Sequence, residues 1–144
     1  MRVLLYKPTS PSGKLICWWT HSKYCHVSIV ANGVEWETTK AYGVRGVVPR
    51  SNYAESVTIN DAVAELKAEE YIRAKLGVRY GIANILRFVF PWIHEQKRQD
   101  ICSTLVWGAL RSAGLLPFSE DIVSPGEVGN AAKVIAHFLQ KQSA

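Results

Sequence analysis

Four apolar stretches in the first half of the chain are short, rich in β-branched residues and bounded by turn residues, which is typical of strands. The strongest local signal is Asn32-Gly33, which lies between two of these stretches and predicts a type I′ hairpin. Residues 15–20 are apolar and aromatic throughout, a pattern compatible with a buried strand or with a short helix. The predicted strands cover residues 2–6, 26–31, 34–39 and 41–48.

The second half changes to a helical period. Asn60 or Asp61 can cap a helix that runs to about residue 76, where Gly77 is a stop signal. The apolar stripe predicted for this helix consists of Val63, Leu66, Ile72 and Leu76. Residues 80–90 predict a helix or mixed structure that Pro91 ends.

Two further helices have clear signals. A helix beginning near Cys102 has a continuous apolar face and ends at Gly114. That face consists of Cys102, Leu105, Val106, Ala109, Leu110 and Ala113. Ser124 predicts the cap of the last helix, because Pro125 takes the first helical position and Glu127 completes a capping box. The inward face predicted for the last helix consists of Val128, Ala131, Ala132, Ile135, Phe138 and Leu139.

Strands followed by helices predict an α+β fold, a small antiparallel sheet packed with helices, in a single domain over residues 1–144. The chain is 48% hydrophobic and 20% charged, a composition that suits one core. The net charge of +5 is scattered rather than clustered, so we expect no nucleic-acid partner. We also expect no signal peptide and no stable membrane insertion, because the apolar runs are too short.

The three cysteines, Cys17, Cys25 and Cys102, are an odd number, which argues against a disulfide framework and favours reduced thiols. We therefore expect a cytoplasmic or phage-associated protein. Cys102 is the candidate nucleophile, because the exposed N–H groups of a helix start favour a thiolate. The alternative is that Cys102 simply continues the buried apolar stripe, as free cysteines often do.

A thiolate nucleophile needs a base, and His26 on the predicted hairpin is the candidate. If Asn32-Gly33 is the turn, alternate residues share a face, so Glu35 and Glu37 lie on the His26 side. Glu37 is then a diagonal neighbour within reach of the imidazole, whereas Glu35 lies too far along the strand for a direct hydrogen bond. The alternative is that both glutamates are solvated strand carboxylates.

A zinc site is the competing interpretation of Cys17, His21, Cys25 and His26, which are ligand types for that ion. In an extended segment, four residues span roughly 13 Å, too far to share an ion. The aromatic Trp18, Trp19 and Trp36 are expected in the core. The spacing argument leads us to expect no metal, and the lack of a Gly-rich phosphate loop leads us to expect no nucleotide cofactor.

Several segments, taken in order, resemble the circularly permuted NlpC/P60 proteins, a papain-like group that includes YiiX-type cysteine hydrolases and is related to lecithin retinol acyltransferase. The similar segments are residues 18–30 around His26, Glu35-Trp36-Glu37, Gly77-Val78-Arg79-Tyr80-Gly81, Cys102-Ser103-Thr104-Leu105-Val106 and Ser124-Pro125-Gly126-Glu127-Val128. The chain departs from the family pattern at Gly81, where many relatives have Asp, and in lacking an N-terminal Gly-Asp strand.

The resemblance implies a papain-like core in which Cys102 is the nucleophile, His26 the general base and acid, and Glu37 the orienting group. Tyr80 matches a family tyrosine near the oxyanion site. The implied activity is cysteine-dependent cleavage of an amide bond in peptidoglycan-type peptides. The alternatives are a lipid or thioester acyl hydrolase or acyltransferase, for which Phe88, Phe90 and Trp92 could line an acyl pocket, and a non-catalytic binding module. The partner is a peptide or acyl substrate; the sequence leaves the oligomeric state open.

Overall fold

The computed structural model describes residues 1–81, 99–117 and 123–142, with side chains omitted for residues 99 and 100. The strands are β1 (Arg2–Tyr6), β2 (His26–Ala31), β3 (Val34–Thr39), β4 (Gly43–Val47), β5 (Glu55–Thr58), β6 (Arg79–Tyr80) and β7 (Gln99–Asp100). The helices in the described part of the chain are α1 (Pro11–Trp19), α2 (Ala62–Arg73), α3 (Cys102–Ser112) and α4 (Pro125–Gln142).

A five-stranded antiparallel sheet is the centre of the fold, with strand order β4-β3-β2-β1-β5. The prediction of an α+β fold with an antiparallel sheet is therefore confirmed. The β2–β3 hairpin has the predicted register, in which Ile29 faces Trp36 and Val30 faces Glu35. Asn32 and Gly33 have φ angles of 48° and 76°, both in the left-handed region that a type I′ turn requires.

The strand β5 was not predicted from the sequence. It pairs with β1 at the sheet edge, where Val57 lies opposite Val3. With only four residues, it offers too short a pattern for a clear alternation. The segment 15–20, left open between strand and helix, belongs mainly to α1, which Ser10 caps by accepting from the Gly13 N–H group.

The helices α2, α3 and α4 pack against one face of the sheet. The predicted inward face of α3 is confirmed, because every member of it from Cys102 to Ala113 is buried. On α2 the predicted stripe is largely wrong: Val63 and Leu66 are exposed, and small residues, Ala64 and Ala68, contact the core. Because Ala64 and Ala68 are small, they allow α2 to pack closely against the core. The larger apolar residues Val63 and Leu66 lie on its exposed side.

Two other expectations about the core are also wrong. Trp18 is 69% exposed on α1, although Trp36 is buried as predicted. Phe138 is 61% exposed near the end of α4, where the helix extends beyond its buried residues. The cap of α4 is confirmed, with the Glu127 N–H group donating to Ser124 Oγ and the Ser124 N–H group donating to the Glu127 carboxylate.

The opposite face of the sheet combines a small apolar cluster with a buried polar layer. Leu4, Tyr6 and Val30 form the cluster, and Tyr53 packs against it. Ser28, Glu35 and Glu37 share this face and are buried. The hairpin therefore presents its apolar side to the helices and its polar side, with Ser28, Glu35 and Glu37, to the opposite face of the sheet, as the alternation predicted.

In the part of the chain that the structure describes, no helix combines the length and the hydropathy needed to cross a membrane. The predicted segment 80–90 lies almost entirely outside the described residues, apart from Tyr80 and Gly81.

Candidate active site

Cys102 is the first residue of α3, and its side chain is buried. The N-cap residue is Ile101, whose N–H group donates to Thr104 Oγ1 at 3.0 Å while the Thr104 hydroxyl donates back to the Ile101 carbonyl at 3.1 Å. The first turn of α3 contains no acidic residue. The positive end of the helix dipole therefore acts on the Cys102 sulfur without an opposing carboxylate from its own helix.

The Cys102 thiol forms a charge pair with the His26 imidazole. Burial raises the pKa of Cys102, but the positive charge and hydrogen bond of His26, together with backbone hydrogen bonds from Val27 and Ser103, outweigh it and lower the pKa. Burial lowers the pKa of His26, but the Cys102 thiolate and then Glu37 outweigh it and raise the pKa to about 9. The two groups thus stabilise each other as thiolate and imidazolium.

His26 is held from its other side by Glu37. His26 Nε2 lies 3.3 Å from Glu37 Oε2, an ion-pair contact between the first residue of β2 and a diagonal neighbour on β3. The predicted diagonal contact is therefore present, and the alternative of a solvated Glu37 is wrong, because its side chain is 1% exposed.

Glu37 is also bound by two arginines. Arg45, its cross-strand partner on β4, donates to Glu37 Oε1 through Nε at 3.0 Å and through Nη2 at 2.8 Å. Arg50 Nη2 donates to Glu37 Oε2, the oxygen that His26 contacts. Burial raises the pKa of Glu37, but His26, Arg45 and Arg50 together lower it to about 2. Glu37 is therefore a carboxylate at neutral pH.

The expectation that Glu35 could be a solvated carboxylate is wrong. Its side chain is fully buried, and Oε1 accepts from Tyr6 Oη and from Ser28 Oγ, each at 2.7 Å. The Arg50 N–H group donates to Oε2 at 2.8 Å, and the Arg50 guanidinium donates to both oxygens. Glu35 is thus a structural member of the site, although it makes no direct contact with His26, as the register predicted.

Tyr80 lies beside the sulfur. It shares a small pocket with Cys102 and Cys25, further lined by Ile16, Thr20, Ile101, Ser103 and Pro125. Burial and then the charges of the Cys102 and Cys25 sulfurs raise the pKa of Tyr80, so its hydroxyl remains a donor. The pocket encloses about 10 Å³, close to the space of one water molecule. Such a volume fits a single oxygen atom beside the sulfur.

The other two thiols are chemically different from Cys102. Burial and then the neighbouring sulfurs raise the pKa of Cys25 to about 11, and burial raises the pKa of Cys17. Their side chains share a hydrogen bond, although Cys17 belongs to α1 and Cys25 precedes β2. The extended geometry assumed for residues 17–26 is therefore wrong. Among the described residues, no three His, Cys, Asp or Glu side chains are placed to hold a metal ion.

All four predicted site residues, Cys102, His26, Glu37 and Tyr80, lie in one region of the molecule. Sequence reasoning missed Tyr6, Ser28, Arg45 and Arg50. One signal was available in the sequence. Two glutamates on the same strand face imply nearby cations if that face is buried. Arg45 lies opposite Glu37 when β4 pairs with β3. The predicted acyl-pocket residues Phe88, Phe90 and Trp92 lie outside the described residues.

No protein-family model matches the chain, and no curated protein matches it.

Proposed function

We propose that the chain is a cysteine hydrolase with a papain-like core, similar to the permuted NlpC/P60 proteins, that cleaves an amide bond in peptidoglycan-type peptides. The observation that carries the proposal is the Cys102–His26–Glu37 constellation. The Cys102 thiol, whose pKa is lowered, contacts the His26 imidazolium, and the imidazolium contacts the buried Glu37 carboxylate. Nucleophilic acyl transfer needs this arrangement.

In the first half of the reaction, Cys102 Sγ attacks the carbonyl carbon of the amide. The oxygen of the tetrahedral intermediate is stabilised by the Cys102 N–H group at the start of α3 and by the Tyr80 hydroxyl. His26 then gives its proton to the leaving nitrogen, the C–N bond breaks, and an amine departs. The acyl group remains on Cys102 as a thioester.

In the second half, neutral His26 takes a proton from water, and the resulting hydroxide attacks the thioester carbon. The C–S bond breaks, the carboxylic acid leaves, and the thiolate–imidazolium pair is restored. The net reaction consumes one amide and one water and yields one acid and one amine. Glu37 stays ionised throughout and holds the imidazole in orientation.

The alternative activity, hydrolysis or transfer of an acyl thioester or lipid ester, is supported by the lining of the pocket beside Cys102. Ile16, Ile101 and Pro125 are apolar residues there. These apolar groups border the reacting sulfur, so they suit the carbonyl end of an acyl ester or thioester; the chain itself would lie outside a pocket of about 10 Å³.

The test is incubation with peptidoglycan fragments and, in parallel, with acyl thioesters, followed by mass spectrometry. We expect cleavage of the peptide amide, with addition of one water, and transient acylation of Cys102. The Cys102→Ser variant should lose at least about a hundredfold in rate. The matched control is Cys25→Ser, which removes a neighbouring thiol from the same pocket and should leave the acyl-enzyme detectable.

Each outcome distinguishes the candidates. Turnover of thioesters with no cleavage of peptide would favour the acyl hydrolase. Binding of peptidoglycan fragments without turnover of either substrate would favour a binding module. Amide cleavage that survives Cys102→Ser would contradict the thiol mechanism.

A further inference from the structure

The buried polar layer behind His26 contains two carboxylates that share one guanidinium. Glu35 and Glu37 occupy alternate positions on β3 and are both buried, and Arg50 Nη2 donates to each of them. Burying an unpaired carboxylate is costly, and two on one face repel each other. The fork of an arginine can bind both at once, whereas a lysine acts as a single point charge.

The charges of the layer balance only when Glu35 is counted. Glu37 and Glu35 supply two negative charges, and Arg45 and Arg50 supply two positive charges. The remaining pair is the Cys102 thiolate with the His26 imidazolium. Without Glu35, the two arginines would outweigh Glu37, and the layer behind His26 would have a net positive charge.

Arg50 and His26 also compete for one atom. Both contact Glu37 Oε2, so the position of Arg50 decides how much of that oxygen is available to the imidazole. Glu35 holds Arg50 back through its two oxygens, which accept from the Arg50 backbone N–H group, Nε and Nη2. Without Glu35, the whole Arg50 guanidinium would be available to bind Glu37.

Tyr6 links the same layer to the imidazole ring. Its ring centroid lies 5.4 Å from that of His26, and its hydroxyl donates to Glu35 Oε1 at 2.7 Å. The Arg50 guanidinium lies over the Tyr6 ring, 5.0 Å from its centroid. Glu35 and Arg50 therefore contact the residues on two sides of His26: Glu37 beside Nε2 and Tyr6 beside the ring.

We propose that Glu35 and Arg50 are positioning residues for the catalytic imidazole. Glu35 binds Arg50 and thereby leaves Glu37 with an oxygen atom and a net negative charge that are available to His26. The inference rests on the proposed role of His26 as partner of Cys102. The hairpin register places Glu35 too far from His26 for a direct hydrogen bond, and the inference is that Glu35 acts on His26 through the arginine that it shares with Glu37.

The test is titration of the His26 imidazole by ¹⁵N NMR, with its signals assigned by their loss in His26→Ala. This measurement needs no substrate, so it can fail or succeed independently of the proposed hydrolase activity. The titratable groups that act on His26 among the described residues are Cys102, Glu37 and Tyr6, with Arg45, Arg50 and Glu35 behind Glu37. Cys102→Ser serves as the background, because it removes the titration of the coupled thiol.

In that background, Glu35→Gln should lower the pKa of His26 by on the order of half a pH unit, since it removes a negative charge and releases Arg50 toward Glu37. Arg50→Gln should raise it by a similar amount, because it removes the competing positive charge. Opposite shifts from neighbouring substitutions would not arise from a general loosening of the fold. The matched control is Glu55→Gln. This variant removes a carboxylate of β5 that binds Tyr24 and Lys133, and it should leave the His26 titration unchanged.

Shifts of the same sign in both variants, or no shift in either folded variant, would overturn the proposal. Each variant has its own predicted sign, so one folded variant is sufficient. If neither folds, ¹³C NMR of the wild-type carboxyl groups decides, because the proposal requires Glu35 to be ionised from pH 6 upward. A Glu35 carboxyl that takes up a proton above about pH 6 would overturn it, since a neutral Glu35 could not restrain Arg50 by charge.

Discussion

His26 Nε2 lies 3.3 Å from Glu37 Oε2, and the same oxygen accepts a hydrogen bond from Arg50. The imidazole orientation therefore depends on a carboxylate that is itself fixed by two arginines. We predict that Glu37→Gln lowers turnover by at least about tenfold, because the neutral amide orients and charges the imidazole less well.

The measurement is the rate per folded molecule on whichever substrate the protein cleaves, with folding checked by circular dichroism. The control is Glu55→Gln, which removes a carboxylate elsewhere on the sheet and should leave the rate near that of the wild type. A Glu37→Gln variant that folds and retains full turnover would show that His26 does not need this partner.

Cys102 is expected to be the only fast-reacting thiol at neutral pH. Its pKa is lowered by the His26 imidazolium despite burial, whereas burial raises the pKa of Cys17, and raises that of Cys25 to about 11. Because the thiolate is the nucleophile, iodoacetamide should modify Cys102 first. Peptide mapping checks this, and preferential modification of Cys25 with Cys102 intact would count against the assignment.

Activity should follow a bell-shaped pH profile. At high pH, His26 loses its proton as the pH rises through about 9, and the acid that protonates the leaving amine is lost. At low pH, protonation of Cys102 removes the nucleophile, at a pH below the usual thiol range. Both limbs of the pH profile report the coupled Cys102–His26 pair, and neither limb belongs to one residue alone. A profile that is still rising above pH 10 would contradict a catalytic imidazolium.

Acid should destabilise the fold through the buried glutamates. The pKa of Glu37 in the fold is about 2 against an ordinary value of 4.5, so its contribution is fully present above pH 4.5 and is lost as the pH falls toward 2. That contribution is on the order of 3 kcal/mol. Thermal unfolding between pH 6 and pH 2 measures it, and Glu37→Gln should show a smaller loss over the same interval. An equal loss in the variant would assign acid unfolding to other groups.

Zinc should be absent from purified protein at stoichiometric levels. A structural zinc site needs four nitrogen or sulfur ligands, and His26, one of the candidates, is held between Cys102 and Glu37. Elemental analysis of protein prepared without added metal tests this. One zinc per chain, with unfolding on chelation, would favour the structural-zinc interpretation instead.

The sequence by itself determined the local parts of this protein. The Asn32-Gly33 turn defined the β2–β3 register, and with it the face shared by His26, Glu35 and Glu37. Ser124, Pro125 and Glu127 defined the start of α4. These features depend on neighbouring residues and on the period of two or of 3.6, so they can be read before any long-range contact is known.

Only the tertiary structure decided which groups are buried and which are paired. Cys102 and His26 are separated by about half of the chain, and their contact depends on α3 packing against β2. Arg50 follows β4 in a loop with no periodic signal, yet its guanidinium forms ion pairs with two buried carboxylates. The burial of Glu35 and the exposure of Trp18 and Phe138 have the same cause: burial is set by how elements pack, which the hydropathy of single residues does not specify.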